Sequence, residues 1–126
     1  EDRPPELFTL SLLRAKFCEL IAGELKRPGL TPDTGFLLGM FSLIDVLLSL
    51  PMDDVLKEVS LSDELSDALR GKDNDLRRLL DLVVAYEKGD WEKVITCCTR
   101  ENLDPDYLKP TYDNVLEWYN ALQSIS

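Results

Sequence analysis

A chain of 126 residues is long enough for one domain with a sizeable apolar core and needs no disulfide or metal staple. Its 24 acidic against 14 basic side chains give a net charge of -10, which repels phosphate backbones and anionic lipid and argues against nucleic acid or a membrane as partner. At 44% hydrophobic and 30% charged, the composition is that of a folded globular protein, neither disordered nor fibrous.

The elements follow in order. After a polar lead containing Pro4 and Pro5, residues 6–26 place Leu10, Leu13, Phe17, Leu20 or Ile21, and Leu25 at intervals of three to four, the pattern of an amphipathic helix. Arg27, Pro28 and Gly29 end it. Thr31, Pro32 and Asp33 then supply capping groups for the next helix. That stretch, FLLGMFSLIDVLLSL at residues 36–50, is apolar on every side of a helical wheel, so the expectation is one buried helix around which the rest is organised. It is too short for a membrane span.

Pro51 suits a first helical position, and Asp53 and Asp54 sit where the helix dipole favours acids, so residues 52–59 read as a short helix with Met52, Val55, Leu56 and Val59 inward. A second short helix starts at the cap Ser62, points Leu65 and Leu69 inward and stops before Gly71. Asp73 and Asn74 introduce a stronger one, with an apolar face of Leu76, Leu79, Leu80, Val83, Val84 and Tyr86. Gly89 closes it and Asp90 caps the next, which carries Trp91, Val94, Ile95 and Cys98. Asp104-Pro105 begins a further helix, and Pro110 calls for a kink or restart before the final stripe of Tyr112, Val115, Leu116, Tyr119 and Leu122, with Trp118 at its edge. No alternating run or repeat is present, so the class is all-α, a single compact domain of about seven helices.

Few side chains offer chemistry. The chain has no histidine, which removes His-based triads, His-ligated zinc and a histidine general base, and its six glycines are too scattered for a phosphate loop. Cys18 and the adjacent pair Cys97 and Cys98 do not make the spaced framework of a secreted scaffold; adjacent cysteines close a disulfide only with strain, and core packing explains all three. With no cleavable signal or lipidation motif, the expected compartment is the cytoplasm. The pairs Asp53 with Asp54 and Asp104 with Asp106 have the chemistry of a cation or acid-base site, but helix capping accounts for them, and Arg77 and Arg78 beside Asp73, Asp75 and Asp81 read as a mixed solvated surface. Asp45, inside the apolar stretch, must be partnered, solvated or neutral. It is either a ligand or coupling residue, or a structural partner of Arg14 or of the Trp91 indole.

The segments LRAKFCELIA (residues 13–22), GFLLGMFSLIDVLLSLPMDDVLKEVSLSDELSDALRG (35–71) and LLDLVVAYEKGDWEKV (79–94) together resemble the HD-related output domain, HDOD, in the form joined to EAL domains in bacterial signalling proteins. The likeness runs in matching order from about Leu7 to Leu122. It implies a helical domain derived from the HD phosphohydrolase fold, regulatory in its family and commonly the C-terminal half of a larger cytoplasmic protein. In HD enzymes the counterpart of GMFSLID carries a metal-binding His-Asp pair; here Ser42 and Leu43 stand at those positions, so no catalytic residue, metal ligand or cofactor site carries over.

The expected function is therefore a non-catalytic output module in cyclic di-GMP signalling. Residues 1–126, which open without a methionine, would be one domain of a longer protein, acting through an attached EAL or other signalling domain or through self-association. Trp91 and Trp118 are candidate contact residues because aromatics are enriched at binding hot spots, with core packing as the other reading of their helical spacing. The alternatives are a divergent metal-dependent phosphodiesterase using Asp45 and a small-ligand sensor with a pocket between helices.

Overall fold

Two glycines let a pair of helices come into backbone contact. A Cβ on Gly39 would stand 2.5 Å from the Ala15 Cα, and one on Gly35 would stand 2.7 Å from the Cys18 carbonyl oxygen, so both positions exclude any side chain. In the computed structural model, which describes residues 5–125, these glycines lie on α2 (Pro32–Phe41) and let it press along α1 (Pro5–Leu25). Gly39 meets Ala15 and Arg14, and Gly35 meets Cys18 and Ala22, so the two helices run antiparallel. Of the polar lead with Pro4 and Pro5 expected before Glu6, residues 1–4 lie outside the described residues and Pro5 opens α1.

Seven α-helices of seven residues or more are described, together with the five-residue α3 (Ile44–Leu48) and a 3-10 turn at Pro105–Tyr107. The remainder are α4 (Met52–Glu58), α5 (Asp63–Leu69), α6 (Asp75–Lys88), α7 (Trp91–Glu101) and α8 (Leu108–Ile125). The class is all-α, and among the described residues the sole β pairing is an isolated bridge between Arg27 and Leu30. No single described helix is long and apolar enough to cross a membrane.

Capping chemistry places the boundaries. Thr31, Ser62, Asn74 and Asp90 accept from the backbone amides of Thr34, Leu65, Arg77 and Lys93, satisfying donors that a helix start leaves free. Gly89, at φ 70°, ends α6 in the left-handed region, where glycine carries no Cβ penalty. The 3-10 turn after Asp104 lets α8 restart at Leu108, so Pro110 falls in its first turn and removes no helical hydrogen bond.

The apolar stretch at 36–50 departs from expectation. It is not one buried helix: it breaks at Ser42 and Leu43 into α2 and α3, and Leu37, Val46, Leu48 and Leu50 remain exposed. The physical reason is that α2 buries only the narrow strip of Gly35, Leu38 and Gly39 against α1, while α3 packs on little beyond α2 and α4. The helix that organises the fold is α1. Its buried positions, Ser11, Arg14, Ala15, Phe17, Cys18, Ile21 and Ala22, spread over roughly 160° of the wheel at 3.6 residues per turn, and α2, α6 and α8 all pack against it. Phe17 anchors the core edge-on to Tyr86 and Tyr112, with ring centroids 5.3 and 5.1 Å away.

Candidate functional site

Where α1, α2 and α6 meet, the core holds a charge. Arg14 is only 8% exposed, and its guanidinium takes the Glu87 carboxylate in a two-pronged grip, Nε to Oε2 at 3.0 Å and Nη2 to Oε1 at 2.6 Å. Its third nitrogen, Nη1, donates to the Ser42 hydroxyl at 3.0 Å, and that hydroxyl donates to the Gly39 carbonyl at 2.8 Å. The cluster joins the middle of α1, the end of α2 and the last turn of α6. Both oxygens of Glu87 are held by Arg14 and the Ser42 hydroxyl is used in both directions, which leaves neither a free general base nor an activated nucleophile.

One turn before Arg14, the Ser11 hydroxyl is fully buried with no hydrogen-bond partner among the described residues. On the following turn, burial raises the Cys18 thiol well above its ordinary range, an effect that Arg14 opposes only in part. A thiol so shielded is no nucleophile at neutral pH. Tyr112, in the neighbouring aromatic cluster, is also shifted upward, chiefly by burial and then by the Glu87 charge.

A second buried carboxylate fixes the loop between α1 and α2. Glu101, 3% exposed at the end of α7, is ion-paired with Arg27 and receives Arg100 Nε at 3.1 Å. Arg27 Nη2 also donates to the Glu101 carbonyl at 2.6 Å. Cys97 and Cys98 are buried free thiols on the same helix, shifted upward by desolvation, in keeping with core packing.

The residues singled out from the sequence are not brought together. Asp45 is half-exposed on α3, and its carboxylate makes no hydrogen bond or ion pair among the described residues; its carbonyl accepts from the Ser49 amide and, at 3.0 Å, from the Leu50 amide. The pairing of Asp45 with Arg14 is corrected: the break before α3 leaves Ser42 within reach of Arg14, and Glu87 supplies the counter-charge. The pairing with the Trp91 indole fails too, because Trp91 is 58% exposed and lies edge-on to Tyr86 at 5.4 Å. Trp118 is half-buried, with Phe36 at 6.4 Å and Lys16 Nζ 5.2 Å from the centre of its ring.

Glu87 escaped the sequence reading although a signal was present. It continues the α6 apolar series Leu76, Leu80, Val83 at spacings of four and three, as Arg14 interrupts Leu10, Phe17 and Ile21 on α1. A charge on an apolar stripe predicts a buried partner. Nor does the cluster at Ser42 and Leu43 suit a divalent cation, since it presents a fixed guanidinium and a carboxylate already neutralised by it. Among the described residues no group of three or more His, Cys, Asp or Glu side chains is placed to hold a metal ion.

The chain is 40% identical over 118 residues to the uncharacterized protein YuxH of Bacillus subtilis, a match covering 93% of this chain and 28% of the relative. It is 34% identical over 116 residues to the cyclic di-GMP phosphodiesterase CdgJ of Vibrio cholerae serotype O1, covering 92% of this chain and 27% of that protein. The chain thus spans little more than a quarter of the length of the curated relatives it matches. No protein-family model matches it, and no solved structure does. The class so defined is an all-α domain homologous to part of a cyclic di-GMP phosphodiesterase.

Proposed function

We propose that this chain is a non-catalytic regulatory module of the HDOD type, acting in cyclic di-GMP signalling by contact with an attached domain, an EAL domain by the resemblance, or with a partner protein. The observation that carries the reading is the Arg14, Glu87 and Ser42 cluster. At Ser42, one of the two positions that the resemblance aligns with the HD metal-binding pair, the hydroxyl is taken up by the Arg14 guanidinium, which is itself locked to the Glu87 carboxylate. Homology to a fragment of a cyclic di-GMP phosphodiesterase supplies the signalling context. A cytoplasmic setting is part of the same proposal.

The test is incubation of the purified 126-residue chain with cyclic di-GMP and with a generic phosphodiester in the presence of manganese. No turnover above the protein-free control is expected. Turnover that disappears in Asp45→Asn would replace the regulatory reading with a residual phosphodiesterase.

A further inference from the structure

Three helix ends meet at one pole of the molecule and leave apolar side chains bare there. From its antiparallel seat on α1, α2 runs toward the start of α1, and α3 prolongs its line past Ser42 before the chain turns by 114° into α4. α8 is antiparallel to α1 as well: the Tyr107 hydroxyl donates to the Leu20 carbonyl, Tyr112 packs on Phe17, and the Tyr119 hydroxyl lies 2.9 Å from Thr9 Oγ1. The first turns of α1, the whole of α3 and the last turns of α8 therefore share one end. At that end Phe8 is 58% exposed, Val46 46%, Leu48 53% and Leu50 48%, with Leu122 also exposed. The second half of the most apolar stretch in the sequence, residues 44–50, is thus a part that the domain leaves largely uncovered.

We infer that this pole is the docking surface for another domain of the same polypeptide, one presenting an apolar recess with a basic rim. The inference rests on the regulatory reading above and names the surface through which it would work. Backbone entering α1 and backbone leaving α8 both emerge at this pole, so a domain joined on either side starts beside it. In YuxH and CdgJ the matched region is 28% and 27% of the length, and the larger part of each relative lies outside it. The bare side chains amount to a few hundred Å², less than the about 800 Å² per partner that a stable free complex covers. A covalent link supplies the missing affinity through an effective concentration on the order of millimolar. Charge selects the partner: Glu6 is exposed and Asp45 half-exposed and unpaired at the rim, on a chain of net charge -10. A second copy would bring the same acids against them.

The experiment compares amide hydrogen exchange in the 126-residue chain and in the product of the complete reading frame. Amides of α3 and of the first turns of α1 are expected to exchange at least tenfold more slowly in the complete protein. Leu48→Asp, at an exposed position, removes that difference while the melting temperature of the 126-residue chain stays unchanged; Val46→Lys repeats the test if the first variant misfolds. Equal exchange in the two proteins, with a further domain present, overturns this inference and leaves the regulatory reading standing. A reading frame that encodes no further domain also overturns this inference and leaves the regulatory reading to contact with a partner protein. Protection that grows with concentration of the 126-residue chain assigns the pole to a second copy and overturns the choice of occupant.

Discussion

Removing Glu87 leaves Arg14 buried with its charge uncompensated, and the size of the effect follows from the geometry. The paired side chains are 9% and 13% exposed, so water cannot take over solvation of the guanidinium, and Ser42 replaces only one of its three hydrogen bonds. Breaking one partner of a buried pair costs about 3–5 kcal/mol. With an unfolding entropy of about 2.1 cal/mol/K per residue, a chain of this length should lose roughly 10–20 °C in melting temperature in Glu87→Ala. Arg14→Met combined with Glu87→Leu should recover most of the loss, because it removes both charges while the Ser42 hydroxyl keeps its bond to Gly39. Thermal melts by circular dichroism, together with urea midpoints for the two single variants and the pair, provide the check. A loss below about 1 kcal/mol in Glu87→Ala, the range of exposed pairs, would refute the assignment of a buried, closed ion pair.

Other substitutions follow from the same structure. Asp45→Ala should change stability by no more than about 0.5 kcal/mol, as for surface positions without a special role, and a loss of several kcal/mol in urea titration would restore the idea of a buried partner. Ser11→Ala removes a buried hydroxyl that has no partner among the described residues, so it should leave stability unchanged or raise it by up to about 1 kcal/mol; a clear loss would mean that the hydroxyl is hydrogen-bonded. The Asp73 carboxylate is held below its ordinary value of 3.8 by the Arg78 hydrogen bond, which forms at 3.0 Å from each of two nitrogens. A depressed folded-state value gives stability that is present above pH 3.8 and is lost as the pH falls through the folded value. Carboxyl NMR titration should show Asp73 moving up toward 3.8 in Arg78→Ala, and an unmoved titration would contradict the pairing.

Local chemistry was readable, and distant pairing was not. Ser62, Asn74, Gly89 and Asp90 marked helix ends because each acts on amides or carbonyls within a few residues, so sequence spacing alone carries the information. The apolar stretch at 36–50 misleads because residues that are apolar on all sides give no periodic signal to say which side is covered. Gly35 and Gly39, four residues apart, held the answer: they mark the narrow strip that meets α1. The partner of Arg14 stands 73 residues away, and the rule that a buried charge must be paired does not say with whom. Resemblance named the positions Ser42 and Leu43, and only the fold showed that a guanidinium fills the space beside Ser42.

The most direct measurement of the central claim is the rate of cyclic di-GMP hydrolysis by the complete protein, with and without residues 1–126, at equal concentration. The proposed regulatory role requires activity that resides outside residues 1–126 and changes several-fold when they are removed. An unchanged rate, or hydrolysis lost with the domain and recovered in the isolated 126 residues, would contradict a regulatory, non-catalytic role.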